Sequence, residues 1–210
     1  RDLLCGWEVR HAGVELINPA WPILAPLLEA GRHDPAFQVR LATLRKLGTL
    51  LPSPAACTAM VEAFADRMPI VAIEAIRLVD ARCADRDTIV ARLVDRVGWL
   101  TAEGGQTAWH VPARALETLA GFDAARAARL LPVAITFPVW QVRATAARVA
   151  ATLKDEATLV KLAADPVPNV VTEAIGVLAR LRAAAAAPAS IRALASDDHQ
   201  LVRAAAQALR

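Results

Sequence analysis

Apolar residues recur along this chain at helical spacing, and the stretches that carry them recur roughly every thirty residues. An apolar residue, a small residue four positions on and, in most copies, an apolar residue eight positions on form the unit. It occurs at Val9/Gly13/Ile17, Val39/Thr43/Leu47, Val71/Ala75/Val79, Val111/Ala115/Leu119, Val142/Ala146/Ala150 and Val170/Ala174/Leu178, with a last copy at Val202/Ala206. The leading positions are 30, 32, 40, 31, 28 and 32 residues apart. Steps of four keep all three positions on one face of an α-helix. The small central residue lets a neighbouring helix approach closely. Between the copies lie further apolar stretches, at 21–29, 54–65, 88–100, 123–131, 155–163 and 189–195. Ser53 before Pro54 reads as an N-cap followed by the first helical residue, and Asp155 before Glu156 as an acidic first turn. Gly31, Pro35 and Pro166 are expected to stop helices. There is no Tyr, no sustained alternation and no Asn-Gly turn, so strands are not expected.

One helix pair cannot bury its apolar face alone, so the pairs must stack. The pattern predicts an all-α fold, an α-α superhelix of about seven antiparallel helix pairs, covering 1–210 as one array. The first helix of each pair is expected in an outer, convex layer. The second, carrying the repeated triplet, is expected in an inner, concave layer.

The turns carry their own signature. Asp stands five residues before the triplet at Asp34, Asp66, Asp165 and Asp197, and Arg one after its start at Arg10, Arg40, Arg143 and Arg203. Pro35, Pro138 and Pro166 stand four before it, and Trp7, Phe37, Trp109 and Trp140 two before it. The stretches Asp34-Pro35-Ala36-Phe37-Gln38-Val39-Arg40 and Asp197-Asp198-His199-Gln200-Leu201-Val202-Arg203 resemble the HEAT repeat, in the short form of phycobilisome-lyase-like proteins. The resemblance extends over essentially the whole chain and implies a HEAT-type solenoid. It implies that the Asp and Arg form a ladder tying one repeat to the next, interrupted at Ala72, Pro112 and Val171. Pro138-Val139-Trp140-Gln141-Val142-Arg143 and His199-Gln200-Leu201-Val202-Arg203 also resemble bacterial chains in which such an array is joined to a cyclophilin-type peptidyl-prolyl isomerase. That likeness implies a substrate-holding accessory region, with no isomerase residue in this chain.

Composition narrows the function classes. The 210 residues are 56% hydrophobic, with 24 basic against 21 acidic side chains and a formal charge of +3. This excludes a disordered, highly charged chain. The longest stretch free of charge, 47–61, is broken by Pro52 and Pro54 and is too short for a membrane span. Cys5, Cys57 and Cys83 are 52 and 26 residues apart and read as buried or half-buried free thiols. The compartment stays open between cytoplasm and periplasm. Because the first residue is Arg1, the chain is expected to be processed or to be part of a longer one, with a targeting segment removed. Leu201, Val202 and Leu209 are apolar at the other end, so the array is expected to continue past Arg210 or to be covered by a partner.

No catalytic constellation stands out. His11, His33, His110 and His199 are isolated, and no His-Glu dipeptide occurs. His33-Asp34 and Asp198-His199 read as turn and capping residues, as do Ser53, Ser190 and Ser196. Gly104-Gly105 is not followed by Lys-Ser/Thr and is no phosphate loop. No cofactor or metal is expected. Position six of the copies carries Glu15, Arg45, Arg77, Glu117, Arg148, Gly176 and Ala208, a mixture and not the basic stripe of a nucleic-acid binder, which leaves nucleic acid as a second alternative only. Arg45, Arg77, Arg114 and Arg148, with Trp109 and Trp140, are the candidate binding residues. Trp and Arg most often anchor protein interfaces, so a protein or peptide in the concave face is the expected partner. The segment 101–108 accounts for the 40-residue interval and reads as an inserted surface loop.

Overall fold

The computed structural model describes residues 6–18, 24–102 and 106–209. Among these residues every regular element is an α-helix: α1 (Trp7–Leu16), α2 (Leu24–Arg32), α3 (Phe37–Gly48), α4 (Pro54–Ala63), α5 (Pro69–Leu78), α6 (Arg86–Gly98), α7 (His110–Phe122), α8 (Ala124–Ile135), α9 (Trp140–Leu153), α10 (Glu156–Leu162), α11 (Pro168–Arg180), α12 (Ala186–Ala193) and α13 (His199–Ala208). The chain divides into two compact units, 1–93 and 94–210, with the division inside α6. In the first, α1, α3 and α5 pack successively, with α2 against α1 and α3, and α4 against α3 and α5. In the second, α7, α9, α11 and α13 pack successively. There α8 lies on α7 and α9, α10 on α9 and α11, and α12 on α11 and α13. Each unit is thus two layers of alternating helices, the architecture expected of stacked pairs.

Helix boundaries follow local chemistry. Ser53 is the N-cap of α4 with Pro54 as its first residue, although the Ser53 side chain makes no capping bond. Asp155 caps α10 by accepting from the Thr158 N–H, and Asp198 caps α13 by accepting from those of Gln200 and Leu201. Pro69 and Pro168 stand in the first turns of α5 and α11, where the missing N–H costs nothing.

The small central residues lie deep in the core. Thr43, Ala75, Ala115, Ala146 and Ala174 have essentially no exposed surface. They sit between the flanking apolar residues of their triplets, Leu47, Val79, Leu119, Ala150 and Leu178, which are also buried. Burying one Val or Leu side chain contributes roughly 1.5–3 kcal/mol. The terminal copies differ. Val9 and Gly13 are exposed in α1, and α13 buries Leu201 and Ala205 while Ala206 faces solvent. The reason in α13 is geometric: it packs on α11 and α12 with no later described helix beyond it.

Three expectations need correction. Gly31 does not end a helix. It lies inside α2, and a Cβ there would collide with Thr43 Oγ1, so glycine permits the α2–α3 contact. Ser190 does not mark a turn. It is buried within α12, and its hydroxyl has no hydrogen-bond partner. Cys57 and Cys83 are not free thiols. They form a disulfide between α4 and the turn after α5, across 26 residues. Their pairing has no periodic signature in the sequence. Cys5, and the start of the helix expected from Trp21, lie outside the described residues.

Candidate functional site

The Arg and Asp of the turns pair as a ladder. Arg10 donates through Nε and Nη2 to the two carboxylate oxygens of Asp34, at 2.7 and 2.9 Å. Arg40 does the same to Asp66, at 2.7 and 2.8 Å, and Arg143 to Asp165, at 2.6 and 3.0 Å. Arg40 Nη1 also donates to the carbonyls of Asp34 and Pro35, and Arg143 Nη1 to those of Phe137 and Pro138. Each Asp in turn accepts the backbone N–H two residues on, of Ala36, Met68 and Val167. These bidentate, charge-assisted bonds are largely withdrawn from water and join consecutive repeats. The Arg10 guanidinium holds the Asp34 carboxyl below its usual range against the opposing effect of burial. At Asp165, burial pushes upward, but Arg143 and the Val167 N–H together bring the carboxyl below its ordinary value. The ladder belongs to the scaffold, and it leaves the other face of the same helices open for another task.

That face carries a second set of ion pairs. In the first unit, Arg45 of α3 and Arg77 of α5 share one carboxylate. Glu74 accepts from Arg45 Nε at 3.1 Å and from Arg77 Nε and Nη2 at 2.9 Å each. Glu74 is held below the usual carboxylate range, chiefly by the Arg77 hydrogen bonds, against burial and with Arg45 assisting. In the second unit, Glu117 of α7 receives Arg114 at 2.7 Å and Arg148 of α9 at 2.9 Å. Arg148 also donates to Thr145 Oγ1 at 2.9 Å and reaches Glu173 of α11 at 3.6 Å. Arg148 therefore spans three consecutive helices of one layer. The sequence pointed to the arginines. It did not point to Glu74 or Glu173 as their partners, because the register of an ion pair depends on how neighbouring helices are offset.

The two candidate tryptophans stand at the starts of α7 and α9. Trp109 is the N-cap of α7, is half-buried and stacks on His110 with ring centroids 3.8 Å apart. Trp140 is the first residue of α9 and is half-buried. Beside Glu173, a cleft of about 390 Å³ opens between α11 and α13, lined by Thr172, Gly176, Arg180, Ala204 and Gln207. Arg180 was not among the sequence candidates, since it lies ten residues from its triplet start, outside the register considered. Gly176 occupies the position that Arg45, Arg77 and Arg148 fill elsewhere, and its missing side chain opens the cleft. Among the described residues no group of three or more metal-ligating side chains converges, and no helix is long and apolar enough to cross a membrane.

Comparison with known proteins places this geometry in a wider class. Residues 130–210, from within α8 to the end of α13, match the family model for HEAT repeats. The match covers 81 of the 210 residues. Among solved structures, the X-ray structure of the Escherichia coli protein YibA superposes with a TM-score of 0.67 at 14% identity, covering 98% of this chain and 74% of that one. A designed armadillo repeat protein in complex with the peptide (KR)4 superposes with a TM-score of 0.50 at 19% identity, covering 88% and 97%. At these identities the likeness is one of fold. The fold is the helical solenoid of HEAT and armadillo repeats. No curated protein matches the sequence.

Proposed function

We propose that this HEAT-type chain is a non-catalytic scaffold that holds a protein segment along the exposed faces of the helices bearing the repeated triplet. Arg45 and Arg77 serve as contacts in one unit, and Arg114, Arg148, Trp109 and Trp140 in the other. The observation that carries this reading is the set of inter-repeat pairs on that face. Arg45–Glu74 spans 29 residues and Arg148–Glu117 spans 31, so charged groups are presented at the repeat's own step. A paired guanidinium keeps further N–H donors for carbonyl and carboxylate acceptors. An extended polypeptide offers such acceptors at regular intervals, whereas a folded catalytic pocket needs them converging on one point. The glutamates also cancel the arginine charge locally, which favours a polypeptide of mixed charge over a polyphosphate chain.

The test is selection from a displayed library of extended peptides on the full chain. Bound peptides are re-measured against Arg148→Gln with Arg114→Gln, against Arg45→Gln with Arg77→Gln, and against Lys161→Gln on α10 as the control. Loss of at least about tenfold in affinity for one of the paired variants, with the control and the helical circular dichroism unchanged, is the expected result. Equal affinity for all three variants would overturn the assignment of this face.

A further inference from the structure

The Arg–Asp ladder of the first unit has a gap. Arg10–Asp34 and Arg40–Asp66 are its rungs, spanning 24 and 26 residues. The next rung would start at residue 72, which is Ala72, fully buried and without a side-chain donor. At this step the structure holds the Cys57–Cys83 disulfide, which also spans 26 residues. Cys57 lies on α4, the helix paired with α5. Cys83 lies in the turn that leads from α5 into α6. The bond therefore makes the same advance of one repeat, on the first-helix side of the stack and not on the triplet side. Cys83 is fixed by its N–H donating to the Asp80 carbonyl at 3.0 Å, and the Asp80 side chain closes the turn by accepting the Arg82 N–H at 2.8 Å. Both cysteines are buried, at 8% and 3% exposure, so the folded protein shields the bond from thiol reductants.

We propose that this disulfide is a covalent rung replacing the ionic one that Ala72 cannot make, and that the chain matures in an oxidising compartment. In the forming step the two thiols give up two protons and two electrons as the sulfur–sulfur bond closes. The electrons pass to an oxidised dithiol carrier of that compartment, whose own disulfide is reduced to two thiols. Shielding makes the rung a permanent staple. Disulfides of this kind persist outside reducing cytosols.

Two measurements test the two halves. Protein isolated from its source cells under acid quench is denatured, alkylated with N-ethylmaleimide and weighed. Adducts on Cys57 and Cys83 only after reduction, located by peptide mass, are the expected result. Adducts on both before reduction would overturn the compartment. Amide exchange is then compared between Cys5→Ser and the Cys57→Ser/Cys83→Ser pair, with chemically reduced wild-type protein as a second reduced form. Opening of 54–63 and 79–85 should accelerate by about 30-fold or more, while 140–178 exchanges as before. Unchanged exchange in the first two segments, or equal acceleration everywhere, would overturn the rung.

Discussion

The turn side and the open side of the triplet helices both use arginine and carboxylate, to opposite effect. On the turn side each Arg makes the same pair of bonds to its Asp, atom for atom, at Asp34, Asp66 and Asp165. On the open side the groupings vary: Glu74 and Glu117 each gather two arginines, and Arg148 alone reaches on to a second glutamate and a threonine. Burial explains the contrast. Arg40 and Asp66 are 7% and 11% exposed, so an unmatched charge there is expensive and only one geometry survives. Arg45 and Arg77 are 57% and 52% exposed, water substitutes for any lost partner, and the sequence is free to vary. Uniformity marks the side that builds the repeat, and variety the side that water screens.

That contrast is open to direct attack. The largest effect is expected from Arg40→Ala or Arg143→Ala. Each strands a buried Asp and frees two turn carbonyls, and each should cost about 3 kcal/mol in urea unfolding. A loss below about 1 kcal/mol would erase the distinction between the two sides. Acid comes next. The Asp34 and Asp165 carboxyls are lowered in the folded protein, so their contribution is complete above the ordinary carboxylate value of 3.8 and drains away as pH falls through the lowered ones. Stability followed from pH 6 to pH 2 should therefore hold steady and then decline below about pH 4, and the decline should be shallower in Arg143→Met, which has already lost one rung. The smallest effect belongs to the open side. Arg77→Gln should change unfolding by less than about 1 kcal/mol, within the reach of a careful denaturant titration.

Much of the scaffold was legible in the residues because it is periodic. The triplets located α3, α5, α7, α9 and α11, and the Asp and Arg positions named the rungs, including the breaks at Ala72, Pro112 and Val171. What escaped is what periodicity does not encode. Cys57 and Cys83 pair only once, so spacing alone left them as thiols. Gly31 looked like a stop because glycine weakens helices, yet contact with Thr43 decides its place. At α13 the triplet named Val202 and Ala206, but a helix packed on one side buries Leu201 and Ala205. On the open side, Arg45, Arg77 and Arg148 could be named from register, whereas Glu74 and Glu173 required the offset between helices, and Arg180 required the cleft.

The alanines at 75, 115, 146 and 174 act as gauge blocks. Each fixes the gap to its neighbours by the width of a methyl group, so the pitch of a stack is written in its smallest side chains. Enlarging one of them would not merely bruise a core. It would retune the interval at which every outward-facing group in that unit is presented.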